Sequence, residues 1–251
     1  MCKNVRATMR SLAAAATAAG LLLATPLFTA RPAGAEDAVH LTTEEYAPFN
    51  YEEGGTIVGL GAEQVREIMR RSGIAYDMEL LPWSRAIGLA REKPRTCVFT
   101  TAHTVDRDAH FKWVEPLLVE RTLLVRAANS TVTAATVEEA SAYRTGTQTG
   151  DYTVELLRDA GFAKIDLARD LELTLKKLLS GRVDLMAVSE SYLHRLQSDG
   201  VSVEEVAVLF EQVFSMACSP DTPDRTVKRM QQALSDMIAD GTQSTILARY
   251  R

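Results

Sequence analysis

The chain lacks the motifs of the common hydrolases and phosphate-binding enzymes. It contains no Gly-x-Ser-x-Gly or His-Glu-x-x-His sequence, and residues 146–150, GTQTG, lack the lysine of a phosphate-binding loop. The four histidines are scattered without the spacing of metal ligands; they are His40, His103, His110 and His194. We therefore expect no metal and no cofactor, and a binding function is better supported than catalysis.

Acidic residues are absent from the first 35 positions, which hold four basic side chains. The other 216 residues carry the remaining 24 basic side chains and all 33 acidic ones, a net charge of -9. Such a charge repels phosphate groups, so it argues against binding to nucleic acid or docking on anionic lipid.

The acid-free segment has the three parts of a secretory signal. Its basic start is followed by an apolar stretch at 12–24, and Ala33 and Ala35 stand where a signal peptidase reads small residues. The alternative is an uncleaved membrane anchor, because 11–30 is uncharged, but Pro26 and the weakly apolar Ala/Thr content favour cleavage after Ala35. No other segment approaches 18 consecutive apolar residues, so we expect an exported, soluble protein in the periplasm.

Two of the three cysteines, Cys97 and Cys218, lie beyond this segment. In an oxidising compartment a disulfide is the leading interpretation of an even number of cysteines. Two buried free thiols are the alternative. A metal site is weaker still, because neither cysteine has a second Cys or a His at ligand spacing.

Apolar periodicity predicts strands and helices that alternate along the mature chain, with a loop at 43–55. Alternation of this kind implies the α/β class, with parallel sheets and crossover helices. The predicted strands are 39–42, 74–80, 97–101, 117–125, 143–148, 165–168, 183–188 and 214–218. The predicted helices are 61–72, a helix opened by Pro82, 151–160, 171–180, 190–197, a helix capped by Thr222 with Pro223 at its first position, and 244–250.

Several short motifs follow one another along the same region. They are EYAPFNY at 45–51, Gly59 before a helix, LPWSRA at 81–86, TVDR at 104–107, LSGRVDL at 179–185 and DGT at 240–242. In order and spacing the chain resembles the family 3 extracellular solute-binding proteins, the polar amino-acid receptors of bacterial ABC importers. The resemblance covers essentially the whole mature chain.

The resemblance implies a two-lobed α/β fold in which each lobe is a mostly parallel sheet flanked by helices, with two crossovers at a hinge. Lobe one would comprise 36–118 and 213–251, and lobe two 119–212. The strands that carry Cys97 and Cys218 would then be neighbours in lobe one, which favours the disulfide. The implied partners are a small-molecule solute and the membrane permease of an ABC importer, and the protein would be a monomer.

The same resemblance implies ligand-binding residues. Arg107 would hold a ligand carboxylate, because a guanidinium offers a planar fork that matches two oxygens. A solvated arginine paired with Asp106 or Asp108 is the alternative. Tyr46 would form an aromatic wall for the ligand; Phe49 is a second choice, although aromatic residues more often lie in the core.

Three further positions are candidates for the same site. Gly150 precedes a helix whose backbone N–H groups can bind an anion. Thr100 lies on the strand that leads towards Arg107. Trp83 begins a helix and would stack on a ring or a cation at the edge of the cleft, although its spacing with Ala86 also fits a core position.

The chain departs from the family pattern at three positions. Ser189 replaces the aspartate that takes the ligand ammonium, with Glu190 beside it, and Ala102 replaces a serine or threonine before the arginine. Asp151 stands where a small hydroxyl residue commonly helps to hold the carboxylate, so it would repel that group. The departures predict a solute other than a plain α-amino acid, and Asp151, Glu190 and Glu45 would suit a cationic or amine-bearing one; alternatively these acids only stabilise helix N-termini.

Three functions are compatible with this sequence. The first is a receptor that closes on a solute and presents it to an importer. The second is an enzyme on the same scaffold, like the periplasmic dehydratases of aromatic amino-acid biosynthesis, with Asp151 or Glu190 as a general acid. The third is a sensory module, for which the chain has no attached output domain.

Overall fold

The computed structural model describes residues 38–250. The predicted signal peptide and its cleavage after Ala35 therefore lie outside the described residues. Within this range strands and helices alternate, as the periodicity predicts. No helix within it is long and apolar enough to cross a bilayer.

Ten strands are formed by the described residues, and two of them are far longer than the rest. The bounds are β1 Val39–Thr43, β2 Tyr51–Glu53, β3 Thr56–Val58, β4 Tyr76–Leu80, β5 Thr96–Ala102, β6 Lys112–Ala127, β7 Thr145–Gln148, β8 Ile165–Ala168, β9 Leu185–Ser189 and β10 Val203–Cys218.

Nine helices connect these strands in the same part of the chain, and most begin close to the position that the sequence predicts. The bounds are α1 Leu60–Ser72, α2 Trp83–Glu92, α3 Val105–Asp108, α4 Val137–Ala140, α5 Thr153–Asp159, α6 Leu171–Leu179, α7 Glu190–Ser198, α8 Asp224–Ala239 and α9 Thr242–Ala248.

Eight of the strands form one mixed sheet in the order β4-β1-β5-β10-β6-β9-β7-β8. At one end β1 runs parallel to β4 and β5, and at the other β7 runs parallel to β8 and β9. The central pairs, β5 with β10, β10 with β6 and β6 with β9, are antiparallel. Each end is thus a parallel unit with crossover helices, as expected for an α/β fold.

The long strands β6 and β10 join the two ends of the sheet. They pair with each other from Val203 to Cys218, and β10 contacts β5 only over its last residues, 214–218. Strand β6 contacts β9 only over 122–125. We call the elements around β4, β1 and β5 the first lobe, and those around β9, β7 and β8 the second lobe.

Each lobe has its own apolar core on both faces of its sheet. On β5, Cys97 and Phe99 belong to one cluster and Val98 to another, as the period of two in a strand requires. The first cluster also holds Met230 and Leu234 of α8, so the C-terminal helices complete the first lobe. Around the second lobe, separate clusters include Met186 on one face and Leu185 on the other.

Cys97 and Cys218 lie opposite each other in the antiparallel pair of β5 and β10 and form a disulfide. The predicted pairing is confirmed. Both residues are fully buried, and the bond fixes the end of β10 to the middle of the first lobe.

The start of α1 supports the loop that follows β1. The backbone N–H of Leu60 donates to Pro48 O at 3.0 Å, and that of Gly61 donates to Phe49 O at 2.8 Å. Gly59 precedes the helix with a φ of 110° and a ψ of 168°, a conformation that is essentially confined to glycine. The loop that carries Tyr46 is therefore held by the N-terminal amides of a helix.

Candidate functional site

The candidate site lies where loops at the carboxyl ends of parallel strands face each other. Tyr46 follows β1 and Arg107 follows β5 in the first lobe, whereas Gly150 follows β7 and Ser189 ends β9 in the second. Ligands of open α/β sheets bind beyond the carboxyl ends of the strands, so the topology itself selects this region.

Tyr46 connects the two lobes through Ser189. Its hydroxyl donates to Ser189 Oγ at 2.8 Å and accepts from the Ser189 N–H at 3.1 Å. Its ring packs edge-on against Phe49 at 5.0 Å and Tyr192 at 5.4 Å between centroids. Both Tyr46 and Ser189 are buried, so this contact forms a closed inner boundary of the cleft.

Trp83 and Ser84, in the first turn of α2, contact the turn after β7. Trp83 Nε1 donates to Gly150 O at 2.8 Å, and Ser84 Oγ donates to Thr149 O at 3.3 Å. Trp83 is also part of the first lobe's core, with only 3% of its surface exposed. The ring of Trp83 is therefore packed in the core, as its spacing with Ala86 suggests, while its N–H reaches the second lobe. Stacking of the ring on a ligand stays a prediction.

Arg107 lies next to the same turn. Its guanidinium donates to Ala102 O at 3.3 Å and to Gly150 O at 3.1 Å, and it lies 5.2 Å from the centre of the Trp83 ring. Arg107 is 7% exposed, and burial lowers its pKa while the nearby charge of Asp151 opposes that shift. A guanidinium remains charged at neutral pH under such conditions.

Asp151 lies two residues before α5. Its Oδ1 accepts from the Thr153 N–H at 2.9 Å and from Thr153 Oγ1 at 2.5 Å. Burial raises its pKa, and the hydrogen bonds from Thr153 and the charge of Arg107 oppose the rise. The Asp151 carboxylate thus accepts from a backbone N–H at the start of this helix, where we expected the N–H groups to bind a ligand anion. Gly150 contacts the first lobe through its carbonyl oxygen instead.

A second acid, Glu44, lies in the cleft and was missed by the sequence analysis, which singled out its neighbour Glu45. Glu44 Oε2 accepts from Gln148 Nε2 at 2.8 Å, a contact between residues 104 positions apart. Burial raises the pKa of Glu44 to about 8, with the hydrogen bond from Gln148 and the charge of Arg107 acting against the rise and Asp151 adding to it. The only signal in the sequence was the pair of acids before Tyr46; both line the cavity between the lobes, and of the two Glu44 is the buried one.

Two predicted site residues do not join this group. Thr100 has a φ of 58° and donates its hydroxyl to Asn50 Oδ1 at 2.9 Å, inside the first lobe. Glu190 is bound by Arg121, whose Nε donates to Glu190 Oε2 at 2.9 Å. Glu190 lines a separate cavity of about 780 Å³, together with Glu120 and His194.

Two cavities between the lobes lie next to the contact of Trp83 and Arg107 with Gly150. One, of about 360 Å³, is lined by Glu44, Trp83, Gln148 and Asp170 among others. The other, of about 410 Å³, includes Arg107, Gly150 and Glu155 in its wall. Space for a small solute therefore exists on both sides of the interlobe contact.

The sequence profile of the bacterial extracellular solute-binding proteins, family 3, matches residues 39–251. This chain belongs to that family. The resemblance seen in the short motifs is confirmed, and the family is one of extracellular proteins that bind solutes.

Known relatives of this solute-binding protein agree with that assignment. The "Probable amino-acid-binding protein YxeM" of Bacillus subtilis (strain 168) is 23% identical over 224 residues, which are 86% of this chain and 84% of that protein. Among solved structures, the arginine-, lysine-, histidine-binding protein ArtJ from Geobacillus stearothermophilus has a TM-score of 0.77 at 17% identity, covering 85% of this chain and 94% of that one. A histidine kinase sensor domain with similarity to periplasmic binding proteins has a TM-score of 0.78 at 16% identity, covering 85% and 95%. At these identities the structures show the shared two-lobed fold, as predicted.

Replacing Ser189 by alanine is expected to lower the free energy of unfolding of this solute-binding protein by about 1–3 kcal/mol. Ser189 Oγ caps α7 by accepting from the Tyr192 N–H at 3.2 Å, and it also accepts from Tyr46. The variant loses the cap and leaves the buried Tyr46 hydroxyl without that acceptor. Urea unfolding followed by circular dichroism measures the change. Tyr46→Phe keeps the cap and serves as the matched variant, so an equal loss in both would contradict a role for the cap.

Proposed function

We propose that this protein is the periplasmic receptor of an ABC importer. It captures a small polar solute, an amino acid or a related amine or carboxylate compound, between its two lobes and delivers the solute to the membrane permease. Membership of the solute-binding family supports the general function, and the names of the relatives, which bind amino acids, support the class of solute. The protein would act as a monomer.

The lobe boundaries that we propose are 36–118 with 213–251 for lobe one and 119–212 for lobe two. The change of pairing partners along β6 and β10 supports them, because β10 pairs with β5 from 214 and β6 pairs with β9 from 122. Between these points the two strands pair only with each other, which is the geometry of a two-stranded hinge.

The observation that carries the proposal is the position of Arg107. It is a buried cation of the first lobe, and it reaches the backbone of the second lobe at Gly150. A guanidinium has five N–H donors, and the contacts to Ala102 O and Gly150 O leave others for a ligand carboxylate. A solute held by Arg107 would therefore lie at the contact between the lobes and favour their closure.

Binding without chemical conversion is part of the proposal. Ligand recovered after incubation with the protein should have an unchanged mass. A changed mass would support the dehydratase-like alternative, in which a carboxyl group of the cleft acts as a general acid.

Ligand binding is tested by thermal shift with a panel of amino acids, amines and short peptides, and by mass spectrometry of any ligand that co-purifies. We expect amine-bearing solutes to raise the melting temperature, and Arg107→Ala to weaken their binding about 100-fold or more, because it removes a buried charged donor. The unliganded variant should remain folded. Arg107→Lys keeps a charge without the fork and should restore only part of the affinity.

Arg158→Ala is the matched control for this test. Arg158 is an exposed arginine of the second lobe, 3.8 Å from Glu155, and its loss should leave binding unchanged. If Arg107→Ala binds as tightly as the wild type, Arg107 is not in the site. If no solute of the panel raises the melting temperature, the receptor function itself is contradicted.

A further inference from the structure

The cavity of about 360 Å³ between the lobes has an apolar wall and two deeply buried polar groups. Leu80, Leu81, Pro82, Trp83 and Leu171 supply the apolar surface. Glu44 is 9% exposed and Gln148 is 1% exposed, and both line the same cavity. A pocket of this kind binds a short apolar stem and fixes its end by a few polar contacts.

Both polar groups present acceptors. Gln148 donates Nε2 to Glu44, while its amide oxygen Oε1 is buried without a hydrogen-bond partner. A buried acceptor without a donor is unfavourable, so the pair is incomplete as it stands. A group with several N–H donors, such as an ammonium or a guanidinium, would satisfy the carboxyl group and the amide oxygen together.

The charged groups around the cavity differ in how far they are already paired. Asp170 accepts from Arg169 Nε at 2.9 Å, and Glu172 accepts from Lys176 Nζ at 2.6 Å. Glu44 forms no ion pair with any lysine, arginine or histidine among residues 38–250, although the charge of Arg107 acts on it. Glu45 forms no such ion pair either, but it is exposed, so Glu44 is the buried acid of this cavity that lacks a direct cationic partner.

We propose that Glu44 and Gln148 form the subsite for a cationic group of the solute, and that this group displaces a proton from Glu44 when it binds. The inference rests on the proposed function and gives it a substrate class. The ligand carries an ammonium or guanidinium on a short apolar stem, and a neutral ligand of the same shape binds poorly.

The exchange is balanced in charge. In the unliganded protein at neutral pH the carboxyl group of Glu44 is protonated, because burial raises its pKa to about 8. The incoming cation stabilises the carboxylate, and the proton passes to the solvent. Binding of a cation should therefore release a proton and strengthen as the pH rises towards 8, since more of the protein is already ionised at Glu44.

The groups that face Glu44 come from several segments. Gln148, Arg107, Asp151 and Asp170 act on it directly, and Glu45, Arg169 and Glu172 complete the charged lining of the cavity. No histidine is among the residues that line this cavity in the described part of the chain. A proton released between pH 6 and pH 8 would thus come from a carboxyl group of the cleft.

The test compares arginine with citrulline, which has the same shape without the charge, and lysine with norleucine. Isothermal titration calorimetry at pH 7 should give at least about tenfold tighter binding of each cation than of its neutral partner. Titration in two buffers of different ionisation enthalpy should give a release of about 0.9 proton per arginine, and affinity should rise about tenfold from pH 6 to pH 7.

The variant Glu44→Gln tests this subsite without changing the rest of the cleft. The amide resembles the protonated acid, so the fold is retained, while the preference for the cation and the proton release should both disappear. Glu172→Gln removes a charge from the rim of the same cavity and should change the affinity less than about threefold, as for an exposed charge.

The outcomes distinguish the two proposals. If the neutral partners bind as well as the cations, or if Glu44→Gln keeps the proton release, the subsite is wrong while the receptor function stands. If other solutes of the wider panel bind but none of these four compounds does, the subsite is likewise wrong and the receptor function stands. If no compound of either panel binds, both proposals fail. Should Glu44→Gln not fold, the proton release of the wild-type protein still decides the question.

Discussion

Replacing Gly59 by alanine is expected to destabilise the protein by about 4 kcal/mol or more, so that little folded protein accumulates. A Cβ at this position would lie 2.4 Å from Phe49 O and 2.7 Å from Pro48 O, and the φ of 110° is unfavourable for any L side chain. Both neighbours are backbone atoms that accept hydrogen bonds from α1, so neither can move without breaking the support of the loop that carries Tyr46.

Soluble yield and urea unfolding of the variant measure this effect. Gly88→Ala is the matched control, because Gly88 lies inside α2 and a Cβ added there would meet no atom within 4 Å outside the backbone of its own helix. There the same substitution should stabilise the protein by about 0.5–1 kcal/mol through helix propensity. A Gly59→Ala variant as stable as the wild type would show that the loop adapts to the side chain.

Removing the disulfide is expected to lower the free energy of unfolding by about 4–5 kcal/mol, the loss of chain entropy that a loop of this length represents. Cys97 and Cys218 are 121 positions apart, and the bond closes a loop that contains the whole second lobe. The expected fall in melting temperature is about 10 °C or more for a chain of this size.

The double variant Cys97→Ala with Cys218→Ala, compared with the wild type in urea, measures this loss. Reduction of the wild-type protein isolates the effect of the bond from the loss of buried sulfur atoms. Val98→Ala, a buried position on the same strand, reports the cost of a small cavity without the loss of a cross-link. A loss below about 1 kcal/mol on reduction would contradict the loop-entropy argument.

Much of the fold could be predicted from the sequence, because in most helices and strands the apolar periodicity ends where a residue such as Gly or Pro marks the end of the element. Strand β8 was predicted with its observed bounds, and the predicted start of α6 at Leu171 is correct. The first half of β10 was missed. Its apolar residues Val208 and Phe210 are exposed on a two-stranded segment, so no pattern of burial marks it as a strand.

The short hairpin of β2 and β3 was missed for a related reason: β2 lies inside the predicted loop at 43–55, and no strand was predicted at β3. Its six residues are partly or fully exposed and flank Gly54 and Gly55, which by themselves indicate a turn. The two strands are held together by backbone hydrogen bonds. Their side chains show no pattern of burial from which a strand could be predicted.

The residues of the candidate site also differ in whether a local sequence pattern could identify them. The structure brings Tyr46 to Ser189, and Trp83 and Arg107 to Gly150. Tyr46, Trp83 and Arg107 lie in motifs of the sequence. Neither Glu44 nor Gln148 was chosen from a motif, and only the folding of distant segments places them in contact. Burial of an acid, and hence its raised pKa, is a property of the folded chain that no local pattern encodes.

The first lobe is built from both ends of the chain, and this has a consequence for the order of synthesis. Its core needs Phe214 and Met216 of β10 as well as Met230 of α8 and Ile246 of α9. Val39 and Leu41 share this cluster with early residues such as Val65 and Phe99, but the cluster is complete only when the last few dozen residues have emerged. The region around β7 and β9 can be completed before that point. The lobe that begins first along the chain is therefore the one whose core is completed last.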